Sequence, residues 1–194
     1  MAQKRQTSTK EDIKEALIQL LSEEKFENIS VSKLCKRAGI NRGTFYLHYI
    51  DKYDMMECLK EEIISQLRSL FEEHATSPRE LMMANFQNLK ENERLINAVA
   101  KSKYINFRET IREFMTSIIL SEQQTASTEA FLRENFRVPE KYALEIFLSS
   151  IEGIVSLWIT SGVQESPQEI TDIILNTYDY SQWYWDKHSV YFLL

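Results

Sequence analysis

The chain has 194 residues, 43% of them hydrophobic, with only four Gly, three Pro, three His and two Cys. That is enough apolar material for a substantial core, and too few Gly and His for a phosphate-cradling loop or a metal cluster, so no catalytic residue, metal or cofactor is expected. Residues 1–52 hold ten Lys or Arg against seven Asp or Glu, giving +3, which leaves −9 for the remainder of a chain whose net charge is −6. A cationic head on an acidic body presents one end to phosphates and turns the other away.

No segment alternates apolar and polar residues with the β-branched enrichment that strands need, whereas helical stripes recur, so the predicted fold is all-α. Nothing reads as a signal peptide or as an uninterrupted apolar run of membrane length, and a cytoplasmic protein without a membrane partner is expected. Cys35 and Cys58 have no redox or ligand spacing, and both are expected to be small core residues.

The first predicted helix, 9–23, opens with Thr9 as a cap and Asp12 three residues on, and turns Ile13, Ala16, Leu17, Leu20 and Leu21 inward. Lys4, Arg5 and Lys10 precede or open it as a possible basic arm. The next helix carries Val31, Leu34, Cys35 and Ala38 on one face and Ser32, Lys33, Lys36 and Arg37 on the other. Gly39 suits a left-handed helix end, Ile40 can turn into the core, and Asn41 can cap a third helix whose Phe45 and Tyr49 face inward. This is a helix-turn-helix in outline. Arg42 is of the right type to bond guanine acceptors, Thr44 to offer a hydroxyl or methyl contact, and Gly43 adds no bulk near base edges. Ser30, Ser32, Lys33, Tyr46, His48 and Lys52 ring the pair with groups suited to phosphates.

The run Gly39-Ile40-Asn41-Arg42-Gly43-Thr44-Phe45-Tyr46-Leu47-His48-Tyr49, followed by Asp51-Lys52, resembles the DNA-binding domain of TetR-family transcriptional regulators, as does the Phe26-Glu27-Asn28-Ile29-Ser30 connection before it. The resemblance implies that Thr44 and Tyr46 meet the groove, that Tyr46, His48 and Lys52 hold phosphates, and that Phe45 and Tyr49 are core. It implies a division into a helix-turn-helix domain, 1–52, and a helical ligand-binding and dimerisation domain, 53–194. Position Leu47 is uninformative at this level.

In the second part, Asp51 caps a long helix ending near His74, with Met56, Leu59, Ile63, Leu67 and Leu70 inward. Further helices are predicted at 78–91, 93–101, 103–121, 125–136, 139–161 and 167–181, with Ser77-Pro78 and Ser166-Pro167 marking two of the starts. Phe86, Tyr104, Phe107, Phe114, Phe147 and Trp158 supply the aromatic lining expected of a pocket for an unidentified small-molecule effector. Core packing is the competing explanation for each of them.

The segment Ile151 to Gly162 is similar to the penultimate helix of a TetR subgroup common in low-GC Gram-positive bacteria, which implies a homodimer built from the last two helices. Phe147, Ile151, Gly153, Ile154, Val155, Trp158, Ile170 and Ile174 are the expected interface, with Gly153 where another backbone approaches closely. Glu169, Asp172 and Asp179 are expected on the solvent edge. A single short recognition helix reads few base pairs, which independently favours two half-sites and a dimer. The aromatic terminus, Trp183 to Leu194, is expected to pack on the body or on a partner. Taken together, the expected function is a ligand-responsive repressor on a palindromic double-stranded DNA operator. The alternative is a TetR-like adaptor or co-activator acting through a protein partner, as resembling activators of dihydroxyacetone metabolism do.

Overall fold

The structure is a computed structural model that describes residues 2–73, 77–120 and 125–179. Among these the chain is helical without a strand: α1 (Ala2–Glu23), a 3-10 turn (Phe26–Asn28), α2 (Val31–Ala38), α3 (Arg42–Tyr46), α4 (Lys52–Glu73), α5 (Pro78–Glu91), α6 (Glu93–Ser102), α7 (Phe107–Ile119), α8 (Thr125–Asn135), α9 (Glu140–Thr160) and α10 (Pro167–Leu175). They form two compact units, residues 1–63 with 94–105, and residues 64–93 with 106–194.

Local chemistry sets most of the boundaries. Ser30 accepts the Lys33 N–H, Asn41 the Thr44 N–H, Ser77 the Glu80 N–H and Ser166 the Glu169 N–H, each supplying a partner for an otherwise orphaned helix donor. At Ser166 the Glu169 carboxylate also accepts the Ser166 N–H, completing a capping box that holds this carboxyl below its ordinary range. Three boundaries differ from the sequence reading. The Thr9 cap is overridden, because α1 is already helical from Ala2 and its Lys-Arg-Gln run is compatible with helix. α6 ends at Ser102 because Lys103 takes a left-handed φ of 56°, and α7 restarts only where Asn106 accepts the Glu109 N–H. α10 stops at Leu175 with Asn176 as its C-cap.

In the first unit, Ile13, Ala16, Leu17, Leu20 and Leu21 of α1 are buried with Phe26, Ile29, Leu34, Cys35, Phe45 and Tyr49. Met55, Met56 and Leu59 of α4 and Leu95, Ile96, Ala98 and Val99 of α6 extend this core, and an Arg94–Glu15 ion pair at 2.7 Å fastens α6 to α1. Burial pushes the Cys35 thiol up from its ordinary value, consistent with a packing role. Cys58 departs from expectation: it is exposed, on the outer side of α4.

In the second unit α5 packs against α10, and α7 and α8 pack along α9. Glu152 of α9, with a side chain only 10% exposed, accepts from Arg108 at 3.1 Å and from Arg112 at 2.9 Å, so its charge is paired. Arg112 reaches on to Glu145 and Ser149, binding α7 to two further turns of α9. By length and composition α9 is long and apolar enough to cross a membrane, with a mean hydropathy of 1.5, although Glu145 and Glu152 interrupt its apolar run. Half of that window is buried inside the chain and it carries the paired Glu152, the signature of a core helix.

Candidate nucleic-acid interface

The geometry of the reader begins at Gly39, whose φ of 69° ends α2 and whose position lets the Ile40 N–H donate to Cys35 O at 3.0 Å. The chain then re-enters a helix at Arg42, four residues after α2 ends at Ala38, with Asn41 Oδ1 accepting both the Thr44 N–H at 2.8 Å and the Thr44 hydroxyl at 3.0 Å. Phe45, fully buried, and Tyr49, 5% exposed, anchor this segment. Their rings sit 5.5 Å apart, and burial pushes the Tyr49 phenol up to about 12. With that side anchored, Arg42, Gly43, Tyr46 and Leu47 form the outward face, all exposed.

Arg42 donates to the Tyr46 hydroxyl at 3.2 Å and its guanidinium lies 5.9 Å from the ring centroid, so the two long side chains of this face are held together. That hydrogen bond also raises the Arg42 pKa. A substituent at Gly43 would meet Asn41 Oδ1 at 3.2 Å, so a side chain there would press on the cap as well as on an approaching base. Ser32 is exposed in the first turn of α2, and His48 is half-buried with its ring 6.3 Å from Tyr49.

Two of the cations predicted to hold phosphates are already engaged. Lys33 donates to both Glu24 oxygens, at 3.0 and 2.7 Å, and to Asn28 O at 3.2 Å, which uses the three donors of an ammonium. Lys52 donates to Phe26 O at 2.8 Å and Glu27 O at 2.9 Å, and lies 4.7 and 5.1 Å from the centroids of Phe26 and Tyr53. Lys52 therefore clamps the start of α4 to the 3-10 turn and keeps one donor for another partner. The carbonyls that hold Lys52 lie 26 and 25 residues away, and Glu24, nine residues from Lys33, sits beyond the end of α1, so spacing alone did not reveal these contacts.

Of the residues predicted to line an effector pocket, Tyr104 is misplaced. It belongs to the first unit, where it packs 4.9 Å from Phe26 and 5.5 Å from Tyr53. The others lie in the second unit but in separate contacts: Phe86 edge-on to Trp158 at 5.3 Å, Phe114 against Phe71 at 5.6 Å, and Phe147 with Phe131 and Tyr178 at 4.9 and 5.7 Å. Phe107 is half-buried at the start of α7. A polar feature that the sequence did not flag lies on α5: Asn85 Oδ1 and Asn88 Oδ1 are both buried without a donor, while their amide nitrogens donate to Leu81 O and to Gln66 Oε1.

The predicted interface set also needs correction. Phe147, Ile151, Val155, Trp158, Ile170 and Ile174 are all under 9% exposed within their own chain and have no surface left for a partner. Trp158 even spends its indole N–H on Glu165 O, at 3.1 Å, in the turn before α10. Gly153 and Ile154 are half-buried, and a substituent at Gly153 meets nothing within 4 Å, so no backbone of this chain approaches it. The apolar side chains that do face out are Tyr142, Ile146 and Leu157 on α9, at 54, 46 and 68% exposure, and Ile173 on α10 at 45%. Tyr142, Ile146, Gly153 and Leu157 recur at four- and seven-residue steps and share one face of α9. Glu169 and Asp179 are exposed; Asp172 is half-buried and paired with Arg79. The aromatic terminus lies outside the described residues.

Comparison with known proteins agrees with this arrangement. Residues 13–59 match the model for bacterial regulatory proteins of the tetR family, and residues 76–180 match that for a transcriptional regulator C-terminal region. The chain is 20% identical over 190 residues to the HTH-type transcriptional regulator YxbF of Bacillus subtilis (strain 168), covering 92% of this chain and 47% of that protein. It is 36% identical over 62 residues to the regulator YvdT of the same organism, covering 31% of this chain and 32% of that one. The matches thus span less than half of the length of either relative. Among solved structures, a TetR transcriptional regulator from Streptococcus agalactiae 2603V superposes with a TM-score of 0.62 at 21% identity, covering 91% of this chain and 96% of that one. The dihydroxyacetone kinase operon activator DhaS gives 0.60 at 16%, covering 87 and 93%. With one family model matching the reader and another matching more than half of the whole chain, this chain belongs to the TetR family of DNA-binding transcriptional regulators.

Proposed function

We propose that the chain is a cytoplasmic homodimeric repressor that binds a palindromic operator through α3 and leaves it when a small molecule occupies the second unit. The observation that carries this reading is the outward face of α3. Its Arg42 and Tyr46 are braced against each other while Phe45 and Tyr49 fix the backbone behind them. Ser30, Ser32, Tyr46 and His48 remain the proposed phosphate contacts, with the third donor of Lys52 beside them; Lys33 would first have to exchange Glu24 for a phosphate. On this reading residues 1–52 read DNA and residues 53–194 supply the effector site and the dimer contact.

The apolar stripe of Tyr142, Ile146, Gly153 and Leu157 supports a second copy, because a face of that size left in water is costly. The donor-less amide oxygens of Asn85 and Asn88, close to Phe86 in sequence, support an effector that brings N–H or O–H groups. Such a molecule regulates only through differential affinity for the DNA-competent and incompetent states. The test is a gel shift of duplex DNA from upstream of the protein's own operon. Retardation by a dimer, lost at high salt and lost on Arg42→Ala with Tyr46→Ala, is expected. A properly folded dimer that ignores DNA would overturn the repressor reading and turn attention to a protein partner.

A further inference from the structure

The two most exposed large apolar side chains among the described residues stand next to the recognition helix: Leu47 at 79% and Ile50 at 80%. Leu47 is the C-cap residue of α3, one turn beyond Gly43, and shares the outward face with Arg42 and Tyr46. Ile50 lies past the helix in the turn to α4, where its N–H is given to Asp54 Oδ2 at 2.7 Å. The polar groups of α3 are partly spent within the protein, since the Thr44 hydroxyl donates to Asn41 and Arg42 donates to Tyr46. An apolar group on this face therefore has a distinct use. The floor of the major groove presents hydrogen-bonding edges and a single kind of apolar feature, the C5 methyl of thymine.

We propose that Leu47 is a specificity-determining residue that reads a thymine methyl in each operator half-site. Gly43, one turn earlier on the same face, lets the helix approach the bases closely enough for a side chain of this length to reach one. Arg42 and Leu47 then sense different chemistries from the two ends of one short helix, a guanine edge and a thymine methyl.

The experiment first obtains the operator by selection from a random duplex pool with the full chain, then replaces each thymine singly by deoxyuridine, which removes only the methyl. One thymine per half-site is expected whose replacement weakens binding by the wild-type chain roughly fourfold, the value of one buried methyl. Leu47→Ala should bind the thymine operator with a similar or larger loss and no longer distinguish thymine from deoxyuridine at that position. Ile50→Ala should keep the distinction. Since Leu47 is exposed, the thermal midpoint of Leu47→Ala should match that of the wild type. The proposal is overturned if Leu47→Ala responds to every deoxyuridine as the wild type does. It is equally overturned if the loss is uniform across all sequences, which would place Leu47 on the sugar-phosphate backbone. Failure of the selection to yield any duplex would refute DNA reading altogether, a result distinct from either.

Discussion

Leu157→Asp separates the two sides of α9. In the single chain Leu157 is 68% exposed, so the substitution disturbs little of the chain's own core. Burying a whole Leu side chain is worth about 1.5–3 kcal/mol, and some two-thirds of that remains to be gained on association, about 1–2 kcal/mol. A two-fold contact presents the residue twice, which brings the loss to about 2–4 kcal/mol before the cost of burying a carboxylate is added. At 1.4 kcal/mol per tenfold, the dimer dissociation constant should rise by roughly thirty- to thousandfold. Sedimentation equilibrium across a concentration series reads this directly, with far-ultraviolet circular dichroism to show that the helices persist. Gly153→Leu should behave alike, because the open space at Gly153 accommodates the side chain within one chain but not against a second. Trp158→Ala should instead lower stability by about 3–5 kcal/mol, as its indole is buried beside Phe86. If Leu157→Asp and Gly153→Leu sediment as the wild type does, this stripe is not the dimer contact and the argument fails.

Arg42→Ala should relax discrimination at one base pair of the operator by about 1–3 kcal/mol with little change in affinity for random duplex, measured by competition fluorescence anisotropy; an equal loss on both would place Arg42 on phosphate. Lys52→Met removes two charge-assisted bonds to the Phe26 and Glu27 carbonyls, and in the absence of DNA should cost about 1–2 kcal/mol, a fall of roughly 2–8 °C in thermal midpoint. An unchanged midpoint would show that the clamp does not contribute to stability. Tyr49 titrates near 10 when unfolded and is pushed up to about 12 by burial. The unfolded chain therefore loses this proton first, and stability present below pH 10 should decline as pH rises toward 12. Urea unfolding at pH 9 and pH 11 should show a smaller decline for Tyr49→Phe than for the wild type; identical declines would contradict it.

What the sequence made legible is what a few neighbouring residues decide. Gly39 and Asn41 fix the turn between α2 and α3 through one backbone conformation and a cap acting across three residues, and both are read correctly from residue type. Ser77 and Ser166 succeed for the same reason. Thr9 has the same local signature and does not act as a cap, because a helix-compatible run before it carries α1 through. The long-range partners were invisible. Lys33 and Lys52 look like phosphate ligands in a linear motif, and only the fold brings Glu24, Phe26 and Glu27 to their ammonium groups. Tyr104, just past α6, joins Phe26 and Tyr53 because residues 94–105 fold into the same unit as residues 1–63, a grouping that no local periodicity encodes.

α9 exposes a further limit of pattern reading. Its apolar residues occupy so much of the circumference that periodicity marks a helix with two covered sides without saying which side the chain covers itself. The expected interface included Phe147 and Trp158, yet bulk belongs where a core must be filled and where an indole N–H can find an acceptor such as Glu165 O. The outward stripe has Gly153 between Ile146 and Leu157, with no side chain at its middle. A glycine in the middle of an apolar stripe leaves the backbone accessible to close approach. The chain gains nothing from that access by itself, since the space over Gly153 is open. This is the strongest reason for proposing that a second copy fills it.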